Sequence, residues 1–149
     1  MHIPIFVLSL DSKIIPTIED VTEQTAYDYD YIEETKSWTI DHLRHQFADM
    51  FGTIKEKDGK FTIRDEQVKN YLYKKADHIH RHIDELNFDS IGSWMMTLKY
   101  DVLDDGASFV LDGTNMAGYQ LATHLYSVMG STNKKKISVR FLTVYDAHY

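Results

Sequence analysis

The opening stretch, MHIPIFVLSLDSK (residues 1–13), decides how the rest of the chain is organised. Between His2 and Leu10, Ile3, Ile5 and Val7 fall on one face of an extended segment, and Phe6, Leu8 and Leu10 fall on the other. A strand apolar on both faces belongs inside a sheet, with Pro4 placed where the ladder needs no donor. The run has no positive n-region and no small-residue cleavage site, and it meets Asp11 after ten residues, so it reads as a strand and not as a secretion signal. No later apolar run reaches the ~18 residues a membrane span needs, which predicts a soluble protein without membrane association, and the absence of cysteine fits a reducing, cytoplasmic compartment.

Outward from this strand, the hydrophobic period changes several times. Residues 16–37 are ambiguous: Thr17 with Asp20 resembles a capping signal for a short helix, and the Tyr/Asp alternation of YDYDY (27–31) has a strand's period of two. As a strand, Tyr27, Tyr29 and Tyr31 would share one face and Asp28 and Asp30 the other. Ile40, Leu43, Phe47, Met50 and Phe51 then recur at helical spacing, with Gly52 as the stop. TIKEKDGKFTI (53–63) carries Asp58-Gly59 between extended runs, a hairpin signal. The longest helix starts at an Asp65 cap, with a stripe of Val68, Leu72, Ile79, Ile83 and Leu86. Trp94, Met96, Leu98, Tyr100 and Val102 alternate like a strand, Asp104-Asp105-Gly106 turns it, and ASFVL (107–111) returns. A helix is expected from about Asn115 to Met129, stopped by Gly130, and a last strand through Ile137, Val139, Phe141 and Tyr145.

This order predicts one α+β domain over residues 1–149, with about three helices packed on a mainly antiparallel sheet and a C-terminal β-hairpin–helix–strand unit. A chain of this length buries roughly 70% of the surface of its unfolded form, enough for one core. The hydrophobic fraction of 43% and charged fraction of 26% exclude a wholly disordered chain. The absence of cysteine excludes disulfides, thiolate metal sites and cysteine nucleophiles.

Charge is the sharpest local signal. Between Ile14 and Thr35 lie seven acids (Glu19, Asp20, Glu23, Asp28, Asp30, Glu33 and Glu34) and no Lys or Arg; removing them from the 23 acids leaves 16, equal to the 16 bases. The whole net charge of −7 therefore arises in one tyrosine-bearing segment. Such a local field favours basic partners and argues against nucleic acid, and tyrosine is an interface-enriched residue. The ordinary alternative is a solvated face that maintains solubility.

Two other stretches carry candidate chemistry. In ADHIHRHIDEL (76–86), the helical period sets His80 apart and leaves His78 and His82 as neighbours, with Glu85 next along that side. Two imidazoles four apart hold Zn²⁺ or another divalent transition metal when further ligands arrive, although the glutamate of HExxH is missing. In SFVLDGTNMAG (108–118), an Asp-Gly turn before an expected helix start suggests an anion site at Asp112, Thr114 and Asn115, helped by Lys134, Lys135 and Lys136. Asp112-Gly113-Thr114-Asn115 resembles the Asp-Gly-x-Asn of PIN-like nucleases, a resemblance that would make Asp112 a metal ligand and Asn115 its support. Only Asp146 follows as a further acid, so the nuclease set is incomplete. The stretch is also similar to the DxDGT of haloacid-dehalogenase phosphatases, but Val110 stands where their nucleophile is required.

No GxSxG, SxxK or phosphate-loop pattern is present. The expectation is a small acidic non-enzymatic binding protein (an inhibitor, immunity-type or regulatory factor) without a cofactor. It would dock a basic surface of another protein through Glu19, Asp20, Glu23, Tyr27, Asp28, Tyr29, Asp30, Tyr31, Glu33 and Glu34. Two alternatives stand beside it: a metal-assisted hydrolase or nuclease using His78, His82 and carboxylates, and a module sequestering a nucleotide or phosphate compound. A homo-oligomer is compatible with all three.

Overall fold

The computed structural model describes residues 1–25, 28–83, 91–98 and 104–148. The elements run β1 (His2–Ser9), α1 (Ile18–Thr25), β2 (Tyr31–Glu34), α2 (Ile40–Phe51), β3 (Lys55–Lys57), β4 (Lys60–Arg64), α3 (Asp65–Ile83), α4 (Ile91–Thr97), β5 (Ser108–Leu111), β6 (Thr114–Ala117), α5 (Gly118–Ser131) and β7 (Lys136–His148). The strands form one seven-stranded sheet in the order β3-β4-β7-β1-β5-β6, and β2 also pairs with β7. β1 and β5 are parallel and the remaining pairs antiparallel. The fold is therefore α+β with a mixed sheet, and the described residues form five helices where about three were expected.

β1 is interior, between β7 and β5. Its pairing with β5 starts at Ile5↔Ser108, so Pro4 lies outside that ladder. The two apolar faces of β1 feed two cores. Phe6 and Leu8 join Phe61, Ile63, Phe109 and Val139 beneath Leu43 and Phe47 of α2, Val68 and Tyr71 of α3, and Leu121 and Leu125 of α5. Ile5 and Val7 join Val110, Tyr145 and Ala147 on the opposite face, which is covered by Val21 of α1. Each large side chain so buried contributes roughly 1.5–3 kcal/mol of transfer free energy, so the three-helix side holds most of the stability.

The short helix read at Thr17 is present, with a reciprocal cap: the Thr17 amide donates to Asp20 Oδ2 (2.9 Å) and the Asp20 amide to Thr17 Oγ1 (3.2 Å). The Asp58-Gly59 hairpin forms with both residues at positive φ (53° and 76°), as its turn requires. Two expectations are corrected. Residues 91–97 are helix α4, not the start of a strand, since Ile91, Trp94 and Met95 also satisfy helical spacing in so short a window; residues 99–102 of that expected strand lie outside the described residues. The C-terminal hairpin is β5–β6, turning at Asp112 and Gly113 (φ 46° and 85°), and α5 begins at Gly118 and not at Asn115. The segment 16–37, left open between helix and strand, holds both: α1 ends at Thr25, Asp28 sits in a turn, Tyr29 packs against the α1-side core, and β2 begins at Tyr31. Among the described residues, no helix is long and apolar enough to cross a membrane.

Candidate functional site

The acidic segment folds as α1 followed by β2, packed together on one end of the sheet. Apolar anchors fix it: Val21 is fully buried, and Ile18, Tyr29 and Ile32 pack on the same core. Outward from these anchors, Glu19, Asp20, Glu23, Asp28, Asp30, Glu33 and Glu34 are all solvent-exposed. Tyr27 lies outside the described residues. Tyr31 is half exposed (52%) and stacks on the His148 ring at 4.0 Å and 17°.

Acids remote in sequence converge on Tyr145 of β7. Burial raises its hydroxyl above the ordinary tyrosine range, and the charges of Glu34, Glu19 and Asp20 raise it further. The hydroxyl donates to the carbonyl of Pro16 at 3.2 Å, which ties β7 to the segment leading into α1. Beside this lies a groove of about 430 Å³, with Ser9, Ser12, Ile14, Pro16, Asp20, Glu23, Gln24 and Asp112 among its walls. Gln24 Oε1 is buried and accepts no hydrogen bond. Ile14 is 81% exposed at the rim. The groove thus presents the Asp20 and Glu23 carboxylates beside aliphatic surface, an arrangement suited to a cationic side chain with an apolar stem.

The Asp112 turn is occupied by its own structure. Ser9 Oγ and the Leu10 amide donate to the Asp112 carboxylate, joining the carboxyl ends of parallel strands β1 and β5. Ser108 Oγ donates to Asn115 Oδ1 (2.7 Å), and Asn115 Nδ2 donates to Asp28 (2.6 Å). Thr114 is exposed in β6. Lys134, Lys135 and Lys136 line a separate groove of about 860 Å³ with Lys60 and Arg64, which Asp112, Thr114 and Asn115 do not reach. His78 and His82 are adjacent on α3, ring centroids 4.8 Å apart, while Glu85 lies outside the described residues.

One constellation escaped the sequence reading. β1, β7 and β2 run side by side with His2↔His148↔Tyr31 in one row and Pro4↔Asp146↔Glu33 in the next. Since opposite residues share a face, His2, His148, Asp146 and Glu33 meet on the three-helix side of the sheet. His2 Nδ1 lies 2.8 Å from Asp146 Oδ2, and His148 Nε2 lies 3.6 Å from the same oxygen and 3.0 Å from Glu33 Oε1. Trp38 donates Nε1–H to the other Asp146 oxygen at 3.0 Å. Burial works to raise the Asp146 carboxyl, but the hydrogen bonds from His2 and Trp38 and the two imidazoles outweigh it and hold the group below the usual carboxylate range. The visible signal was Asp146-x-His148, two residues apart at strand period; His2, at the other end of the chain, gave none.

No protein-family model, curated protein or solved structure matches this chain.

Proposed function

We propose that the protein is a non-enzymatic binding module that docks a basic surface of another protein on the α1–β2 end of its sheet, receiving a Lys or Arg side chain in the groove between α1 and the Asp112 turn. The observation that carries this reading is that acids of two elements gather at Tyr145: Glu34 lies opposite it in the β2–β7 ladder, and its hydroxyl is tied to Pro16, just ahead of Glu19 and Asp20. Acids scattered over a solvated surface would have no reason to gather at one buried phenol. Support comes also from the exposed Ile14 beside those carboxylates, which supplies the apolar contact that a charge patch alone lacks.

A titration with a short arginine-rich amphipathic peptide, followed by amide chemical shifts at low and high salt, tests it. Shifts should concentrate on residues 12–34 and 112–113 and weaken as salt screens the charges. The variant Glu19→Gln/Glu23→Gln/Asp30→Asn/Glu34→Gln should lose roughly tenfold or more in affinity while keeping its thermal midpoint. Unchanged affinity, or shifts centred elsewhere, would refute the reading.

A further inference from the structure

We infer that His2, Asp146, His148 and Glu33 form a binding site for a borderline divalent transition ion of the Zn²⁺ class, a clasp that ties β1, β7 and β2 together at one end of the sheet. The donor atoms of His2, Asp146 and His148 all lie within 4.8 Å of one another. A tetrahedral ion with bonds of about 2.0–2.2 Å sets its ligand atoms about 3.3–3.6 Å apart. The pairs at 2.8, 3.6 and 3.0 Å therefore need to move by only some tenths of an ångström to admit one.

The existing contacts also leave the donors badly matched to one another. One His148 Nε2 faces both Asp146 Oδ2 and Glu33 Oε1, yet a ring nitrogen carries a single proton. Asp146 Oδ2 in turn faces both imidazoles. A cation at the centre satisfies the His2, Asp146 and His148 donors at once, with Glu33 standing beside His148 as the fourth donor it would recruit. Two imidazoles select against Mg²⁺ and Ca²⁺, which prefer all-oxygen shells, and favour Zn²⁺, Co²⁺ or Ni²⁺.

Surroundings of the kind that orient metal ligands are in place. Trp38 holds the outer oxygen of Asp146, leaving Oδ2 turned to the rings. Tyr31 stacks on His148, and the His2 and His148 rings meet edge to face at 4.0 Å, which fixes the His148 plane. His2 is 59% exposed along its side chain and provides the route of entry. The His148 side chain, 12% exposed, anchors the dry side. With Glu33 joining the three clustered donors the site would be closed, as structural sites are.

Tag-free protein should be titrated with Zn²⁺ by calorimetry and with Co²⁺ by visible absorption, alongside variants. The expected result is one equivalent per chain, the intense visible bands of tetrahedral Co²⁺, and affinity lowered about tenfold or more in both His2→Ala and Asp146→Asn. Glu33→Gln should keep the stoichiometry with weaker binding. His78→Ala/His82→Ala should bind as the parent does. His2 is exposed, so His2→Ala stays folded and informative even where His148→Ala does not. Absence of saturable uptake, undiminished binding in His2→Ala, or loss of binding in the α3 double variant would overturn the site; undiminished affinity in Glu33→Gln would remove Glu33 from it.

Discussion

At the scale of single residues, the tightest packing lies where α5 begins. Gly118 carries no side chain because a Cβ there would overlap Asp105 Oδ2 and sit 3.0 Å from Asp105 Cγ and 3.1 Å from Met50 Cε. Asp105 cannot swing aside, since the Tyr71 hydroxyl donates to Oδ2 and Lys75 Nζ pairs with Oδ1 at 2.8 Å. Burial raises the Tyr71 hydroxyl above its ordinary range, and the adjoining carboxylate raises it further, so it remains a proton donor. We expect Tyr71→Phe to lower stability by about 1.5–3 kcal/mol, the cost of a lost hydrogen bond to a charged acceptor. Gly118→Ala should cost about 1–3 kcal/mol by overpacking. The two should be less than additive, because without Tyr71 only Lys75 holds the Asp105 carboxylate, which then yields more readily to the new methyl. Urea denaturation of the double-mutant cycle measures this; strict additivity would show that Asp105 is not held by Tyr71.

At the scale of elements, the β3–β4 hairpin is fastened by Glu56. Its carboxylate accepts the Gly59 amide across the turn at 2.8 Å and faces Arg44 of α2 at 3.3 Å. The Gly59 amide, then Arg44, hold the Glu56 carboxyl below the usual range against a smaller opposing effect of burial. A depressed folded-state value means that the contribution is complete above the ordinary glutamate range and is lost as pH falls through that range and below it. Glu56→Gln should therefore be less stable than the parent at neutral pH and converge with it in acid; a constant difference from pH 7 to pH 3 would sink this account. The turn itself was legible in Asp58-Gly59, as were β1, α2, α3 and β7, because each has a long period or a residue required at positive φ. α4 was not, since over seven residues Trp94 and Met96 fit strand alternation while Ile91, Trp94 and Met95 fit a helix. β6 was hidden because Thr114 and Asn115 read equally as helix caps. The acidic segment could be located from sequence, but the metal ligands could not, for His2 and Asp146 are 144 residues apart and only strand register joins them.

At the scale of the whole molecule, β7 organises the charge. Its first half pairs with basic β4 and its second half with acidic β2, along the same edge. α1 covers the acidic end, whereas over β3, β4 and the start of β7 the equivalent face carries Lys55, Lys57, Lys60, Arg64, Lys136 and Arg140. Pairing aligns Lys57, Lys60 and Arg140 in one row and Arg64 with Lys136 in another. Like charges directly opposite are destabilising, yet lysines on a short edge strand such as β3 also oppose edge-to-edge association. The fold thus trades some stability for a sheet edge that repels its own copies. Lys60→Glu turns two like pairs into opposite pairs and should raise the thermal midpoint by roughly 2–4 °C at low salt, with the gain shrinking as salt screens it. A midpoint that does not rise, or a gain insensitive to salt, would mean that these cations are too well solvated to feel one another. The basic rows would then contribute to solubility alone.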